Sequence, residues 1–207
     1  LSGLGTLPDE GEPVAKLMMR IARFLAICGG IVLTALVVLT CVSVLGRGLN
    51  TLGHSDLLTG LSEAAASALI NTGVGPVKGD FELVEAGVAF AIFAFLPICQ
   101  LLGAHATVDI FTSKLPLRVN RALVAFWEVV LTVIIVLITV RLFAGLQDVH
   151  RYGDTTFILQ FPQWWAFAAS FAAALVASVV AVYCAVARLT EAMTGRAILP
   201  RSVETVH

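Results

Sequence analysis

Charge is scarce in this sequence. Only 13% of its 207 residues are Asp, Glu, Lys or Arg, against 58% apolar ones, a balance far from that of an ordinary globular domain. No basic tract and no interleaving of basic with aromatic residues occurs, so nucleic acid is not an expected partner. Groups that carry chemistry are equally sparse. His54, His105, His150 and His207 all lie outside the apolar runs, which leaves no pair to ligate a haem between helices. No HExxH, no comparable metal-ligand spacing and no GxSxG is written. Cys28, Cys41, Cys99 and Cys184 fall inside the apolar runs without a CxxC, so they read as small packing residues. The expectation is a chain without catalysis, cofactor or metal.

What the sequence does have is long apolar blocks. Four stretches, about 24–45, 81–102, 123–145 and 164–187, each offer the roughly 20 residues that a helix needs to cross ~30 Å of hydrocarbon. A soluble helix would interrupt such a run with a polar face, and these do not. The expected fold class is an all-α membrane protein of four transmembrane helices, a single membrane domain over 16–191. Residues 1–15, rich in Gly, Pro, Asp and Glu, read as a mobile N-terminal tail, and 192–207 as a cytoplasmic tail. Leu1 in place of Met suggests a trimmed or misassigned start. Lys16, Arg20 and Arg23 precede a run with no small-x-small cleavage site after it, so a retained first span is expected rather than a signal peptide.

Basic residues near the span ends set the direction. Lys16, Arg20, Arg23, Lys114, Arg118, Arg121, Arg188, Arg196 and Arg201 fall on one side, against Arg47, Lys78, Arg151 and Arg141 on the other. That excess places both termini in the cytoplasm. Phe157, Phe161, Trp164 and Trp165 then cluster where the fourth span starts on the outer side, as interfacial rings do, with Pro162 just ahead of the helix. Within the longest outer connection, Gly46 to Asp80, the stretch Ser55 to Ile70 can form a helix.

Helices in a bilayer associate by close backbone approach, so small residues four apart mark contact faces. The fourth span carries such a row in Ala169, Ala173, Ala177, Ala181 and Ala185. Ala26, Gly30 and Thr34 repeat it in the first span, and Gly87 and Ala91 in the second; the third offers few small positions. Pro97 removes one helical hydrogen bond from the second span and is expected to kink it. Charges at membrane depth need partners. Arg47, Glu82, Glu85 and Arg141 reach one level, so an ion pair is expected there, with Arg47 pairing Glu82 or Glu85. Glu128, inside the third span, faces either the interface or a neighbouring helix.

Several segments together carry a resemblance. Gly79-Asp80-Phe81-Glu82-Leu83-Val84-Glu85 opens the second span. Gln100-Leu101-Leu102-Gly103-Ala104-His105-Ala106-Thr107-Val108-Asp109 closes it, and Leu115-Pro116 follows. Val44-Leu45-Gly46-Arg47 ends the first span, and Phe161-Pro162-Gln163-Trp164-Trp165 begins the fourth. In this order they resemble the small membrane subunit of TRAP (tripartite ATP-independent periplasmic) transporters, the DctQ-like family, from about Lys16 to Glu191. Two departures stand out: a longer connection from Gly46 to Asp80, and Ala106-Thr107 where the family has a basic or polar neighbour after the histidine.

The resemblance implies a three-part system in a bacterial or archaeal inner membrane. A periplasmic binding protein captures an organic anion, a large multi-span subunit carries it inward with sodium, and the small permease supports that subunit without holding the solute. Its expected partners are therefore those two proteins and membrane lipids. Gly103, His105 and Asp109 lie in a stretch, Gly103 to Arg118, that reads as a short interfacial helix with basic residues toward lipid phosphates. For His105 and Asp109 a structural role is expected. The rival readings are a stand-alone small transporter or channel, and the membrane subunit of an electron-transfer enzyme. The solute stays open among C4-dicarboxylates, sugar acids, sialic acids and other carboxylates.

Overall fold

A computed structural model of the chain describes residues 13–54, 75–102 and 117–194. They form four helices: α1 (Pro13–Gly53), α2 (Asp80–Leu102), α3 (Leu117–Tyr152) and α4 (Trp164–Thr194). All four are long and apolar enough to cross a membrane. Among the described residues no strand forms; one isolated bridge joins Thr155 and Pro162. The expected interfacial helix, with Gly103, His105 and Asp109, and the helix expected over Ser55 to Ile70 lie outside the described residues.

Three of the helices outrun their apolar stretches because helix propensity continues where hydropathy stops. α1 holds 41 residues, about 60 Å of helix at 1.5 Å per residue and twice the thickness of a hydrocarbon core. It starts on Pro13, whose missing N–H costs nothing in a first turn. α3 runs on through Gln147, Asp148, His150 and Arg151 until Gly153 adopts a left-handed φ of 68°. There the Gly153 and Asp154 N–H groups both return to the Val149 carbonyl, at 3.1 and 3.4 Å, a glycine-terminated helix end.

In space the helices stand in the order α1, α2, α4, α3, and α1 touches α4 only lightly. The arrangement is a row with two broad faces rather than a closed bundle. Its centre is α4: 44% of its apolar span is buried, against 6% for α1 at the edge. Ala173, Ala177 and Ala181 are each at most 2% exposed and Ala185 9%, so the alanine row is a packing ridge, while Ala169 at its end is exposed.

α3 meets this ridge along Ala125, Glu128, Thr132, Ile135 and Thr139, all buried at alternating spacings of three and four, the pattern of a coiled-coil seam. The lack of small residues in α3 is made good by threonine. Thr132 Oγ1 donates to the Ala181 carbonyl at 3.1 Å, and Thr139 Oγ1 bonds the Ala174 carbonyl at 3.2 Å and Ser178 Oγ at 2.8 Å. A neighbouring cluster joins Ala22 of α1 to Leu101 of α2 and to Val180, Cys184 and Ala187 of α4.

On α1 the expected row of Ala26, Gly30 and Thr34 is not the contact face: Thr34 is exposed and Gly30 has open space beside it. The contact lies one residue away, on positions that recur every seven residues: Ala22, Gly29 and Ser43 are buried, and Leu36 packs on Gly87. A Cβ on Gly29 would stand 3.0 Å from the Ala94 Cβ, so any larger residue here would have to push the two helices apart by a few tenths of an ångström. The remaining faces of α1 and α3 present Phe24, Ile31, Val38, Val133, Leu137 and Val140 outward, each more than half exposed, a lipid-facing composition.

The ridge makes a direct expectation. Ala177→Leu forces three extra heavy atoms between α4 and its neighbours and should lower stability by about 1–3 kcal/mol, read as a fall in thermal midpoint in detergent. Ala169→Leu, on the exposed end of the same row, should leave the midpoint unchanged.

Candidate functional site

Polar side chains gather at the two ends of the row. At the first end the chain returns from α1 to α2 through a close approach of Gly46 to Gly75, where any Cβ on Gly46 would overlap the Gly75 carbonyl oxygen. Gly79 follows at φ 77°, with Leu159 filling the space a side chain would need. These two glycines place Asp80 at the N-terminus of α2, where a negative charge meets the positive end of the helix dipole. Its Oδ1 accepts the Phe81 N–H at 2.8 Å, and its Oδ2 accepts both the hydroxyl of fully buried Ser43 and Arg47 Nη2, the latter at 2.7 Å.

The expected ion pair of Arg47 with Glu82 or Glu85 is therefore corrected. Arg47 pairs with Asp80, because the turn at Gly79 brings the first carboxylate of α2, not the second, against α1. Arg141 is exposed and outside this pair.

Glu82 serves a different purpose. Its two carboxylate oxygens accept the consecutive N–H groups of Ile158 and Leu159, at 2.7 and 3.0 Å. Those residues sit at the tip of the connection between α3 and α4, which folds back on itself. Thr156 N–H donates to the Phe161 carbonyl at 2.9 Å and Gln163 N–H to that of Asp154 at 3.0 Å, with Gln160 in the left-handed region at φ 53°. Glu82 thus clips this hairpin to the head of α2, leaving Phe157 94% exposed at the tip. Glu85, one turn further down, is exposed and lines the cleft below the hairpin. Trp164 packs edge-on against His150, with 5.5 Å between ring centroids, and tilted against Trp165 at 5.0 Å; Trp165 is exposed on the surface.

At the opposite end a second polar group is buried between α2, α3 and α4. Gln100 Nε2 donates to Glu128 Oε1 at 2.9 Å, and Arg188 bonds Glu191 at 3.1 Å within electrostatic reach of Glu128. Gln100, Glu128 and Arg188 are 2%, 6% and 8% exposed, so Glu128 faces its neighbouring helices rather than the interface. Sequence reasoning placed Asp80 and Gln100 within the family-like segments without giving either a contact, and missed Ser43, Thr132 and Thr139. Asp80 alone had a readable signal, an acidic residue after glycine at the start of an apolar run.

Both groups tie helices to one another. Among the described residues no cluster of three His, Cys, Asp or Glu forms that could hold a metal. Of the buried polar side chains, Ser43, Gln100, Glu128, Thr132, Thr139 and Ser178 bond neighbouring helices, while Ser170 lines the cleft below the hairpin. These features define a multi-pass helical membrane protein in which Arg47, Asp80, Glu82 and Glu128 tie its spans together. The chain belongs to the DctQ family: the family model described as "Tripartite ATP-independent periplasmic transporters, DctQ component" matches residues 36–192. It is thus the small component of a TRAP transporter, a transporter subunit by family. No curated protein and no solved structure matches the chain.

Two outcomes follow from these contacts. Glu82→Ala should speed hydrogen exchange at the Ile158 and Leu159 amides, measured by mass spectrometry, whereas Glu85→Ala should not. Glu128→Leu removes the acceptor of the Gln100 side chain and should cost about 1–3 kcal/mol, seen as a lower unfolding midpoint; an unchanged midpoint would mean that the Gln100 contact contributes nothing to the fold.

Proposed function

We propose that this chain is a static, non-transporting support for the large sodium-coupled membrane subunit of its transporter, which takes up an organic anion delivered by a periplasmic binding protein. The observation that carries this reading is where the polar groups are spent. Ser43, Arg47, Asp80 and Glu82 close one end of the row, and Gln100, Glu128 and Arg188 the other. A solute pathway needs open polar residues or broken helices near the membrane midplane; in the middle of this row the hydroxyls of Thr132, Thr139 and Ser178 are bonded between α3 and α4 and packed among alanines. The broad apolar faces of α1 and α3 suit contact with other apolar helices or lipid.

The excess of basic residues flanking α1, α3 and the end of α4 supports an inner-membrane orientation with both termini in the cytoplasm. Arg47 and the hairpin tip then lie on the periplasmic side. In the same reading Gly103, His105 and Asp109 belong to a cytoplasmic connection and act in assembly rather than transport. The exposed Trp165 anchors α4 at the periplasmic interface.

Reconstitution tests this directly. The purified chain alone in liposomes should show no uptake of any carboxylate. Addition of the large subunit, which should co-purify with a tagged copy of this chain, and of the binding protein should restore sodium-dependent uptake. Uptake by this chain alone would overturn the proposal.

A further inference from the structure

Below the hairpin, α2, α4 and the hairpin itself line a cleft of about 510 Å³, within the ~300–1,000 Å³ range of small-molecule sites. Its walls are Ala86, Ala89 and Phe93 of α2 and Ala166 and Phe167 of α4, with Leu142 of α3 at the floor. The alanines make the room; elsewhere in the row the same residue type closes it. From Glu82 to Phe93 the cleft follows α2 for roughly 16 Å at 1.5 Å per residue, about the depth of one leaflet of a ~30 Å hydrocarbon core. Four of the five polar lining residues, Glu82, Glu85, Thr156 and Gln163, lie toward the hairpin, and the fifth, Ser170, is a buried hydroxyl further along α4. Glu82 is engaged by the Ile158 and Leu159 amides, whereas Glu85 is exposed.

We propose that this cleft binds a phospholipid with an amine headgroup, one acyl chain lying between α2 and α4 and the ammonium resting at Glu85. An apolar trough of leaflet depth that opens beside hydrocarbon fits a hydrocarbon chain, and the carboxylate at its mouth selects the sign of the headgroup. The same carboxylate, with Glu82 beside it, repels an organic anion, so the cleft is not a station for the transported solute. The exposed apolar tip, Phe157 to Leu159, also lines the cleft, a composition that suits the level where acyl chains meet headgroups. This inference is read on the isolated chain, so it stands or falls separately from the transporter assembly proposed above.

Native mass spectrometry of the full chain in detergent, titrated with phosphatidylethanolamine or phosphatidylglycerol, tests it. The wild type should retain the amine lipid about two- to fivefold better, the preference an exposed ion pair gives. Glu85→Gln, a surface change of equal size, should bring the ratio to one, and Ala89→Trp, which fills the trough, should lose retention of both lipids. Equal retention by the wild type, or a preference that survives Glu85→Gln, overturns the proposal. So does a photo-crosslinker at position 89 that captures, in native membranes, a protein in place of a lipid.

Discussion

Two apolar helices in hydrocarbon gain nothing by hydrophobic burial, because lipid tails solvate leucine as well as another leucine does. Cohesion must come from close backbone approach and from polar groups that have no better partner. α4 meets that requirement on two sides at once. Ala173, Ala177 and Ala181 let α2 and α3 come close, and the carbonyls of Ala174 and Ala181, reachable because their own side chains are so small, accept hydrogen bonds from Thr139 and Thr132. The row exists because one helix has two usable faces. α1, with a single narrow contact seam, stands at the edge.

Packing of this kind is short-ranged and does not by itself fix helix ends. That task falls to charge, which is costly in the membrane unless paired. Asp80 joins α2 to α1 through Arg47 and Ser43, Glu82 joins α2 to the hairpin that starts α4, and Gln100 with Glu128 joins α2 to α3 at the other end. α2 is a partner in all three. It is the shortest of the four helices, with 23 residues, and both of its ends are pinned.

The four spans were legible in the sequence because hydrocarbon length is a coarse requirement that composition alone satisfies or fails. The alanine ridge was legible for a related reason: five small residues at one spacing have few uses in a bilayer. The face of α1 was not. Gly29 and Gly30 are adjacent, and either could lead a row of small residues; the choice of Gly29 depends on Ala94 across the interface. The ion pair was placed at the right level with the wrong carboxylate, since Asp80, Glu82 and Glu85 differ in direction only once the turn at Gly79 is known. Thr132 and Thr139 were hidden inside a Val, Ile and Leu run, where a hydroxyl bonding across helices looks the same as one bonding its own preceding turn. Thr139 does both.

A row fastened at both ends and packed in the middle by alanines and by hydroxyls bonded between α3 and α4 has little freedom to rearrange, which suits a wall against which a larger membrane protein moves. Distances between spin labels at Val38 of α1 and Val133 of α3, both exposed on the outermost helices, probe that rigidity in the assembled transporter. With sodium and solute added to drive the transport cycle, the distance distribution should stay unchanged. A shift of several ångströms would mean that the small subunit takes part in the motion and would contradict the role of a static support.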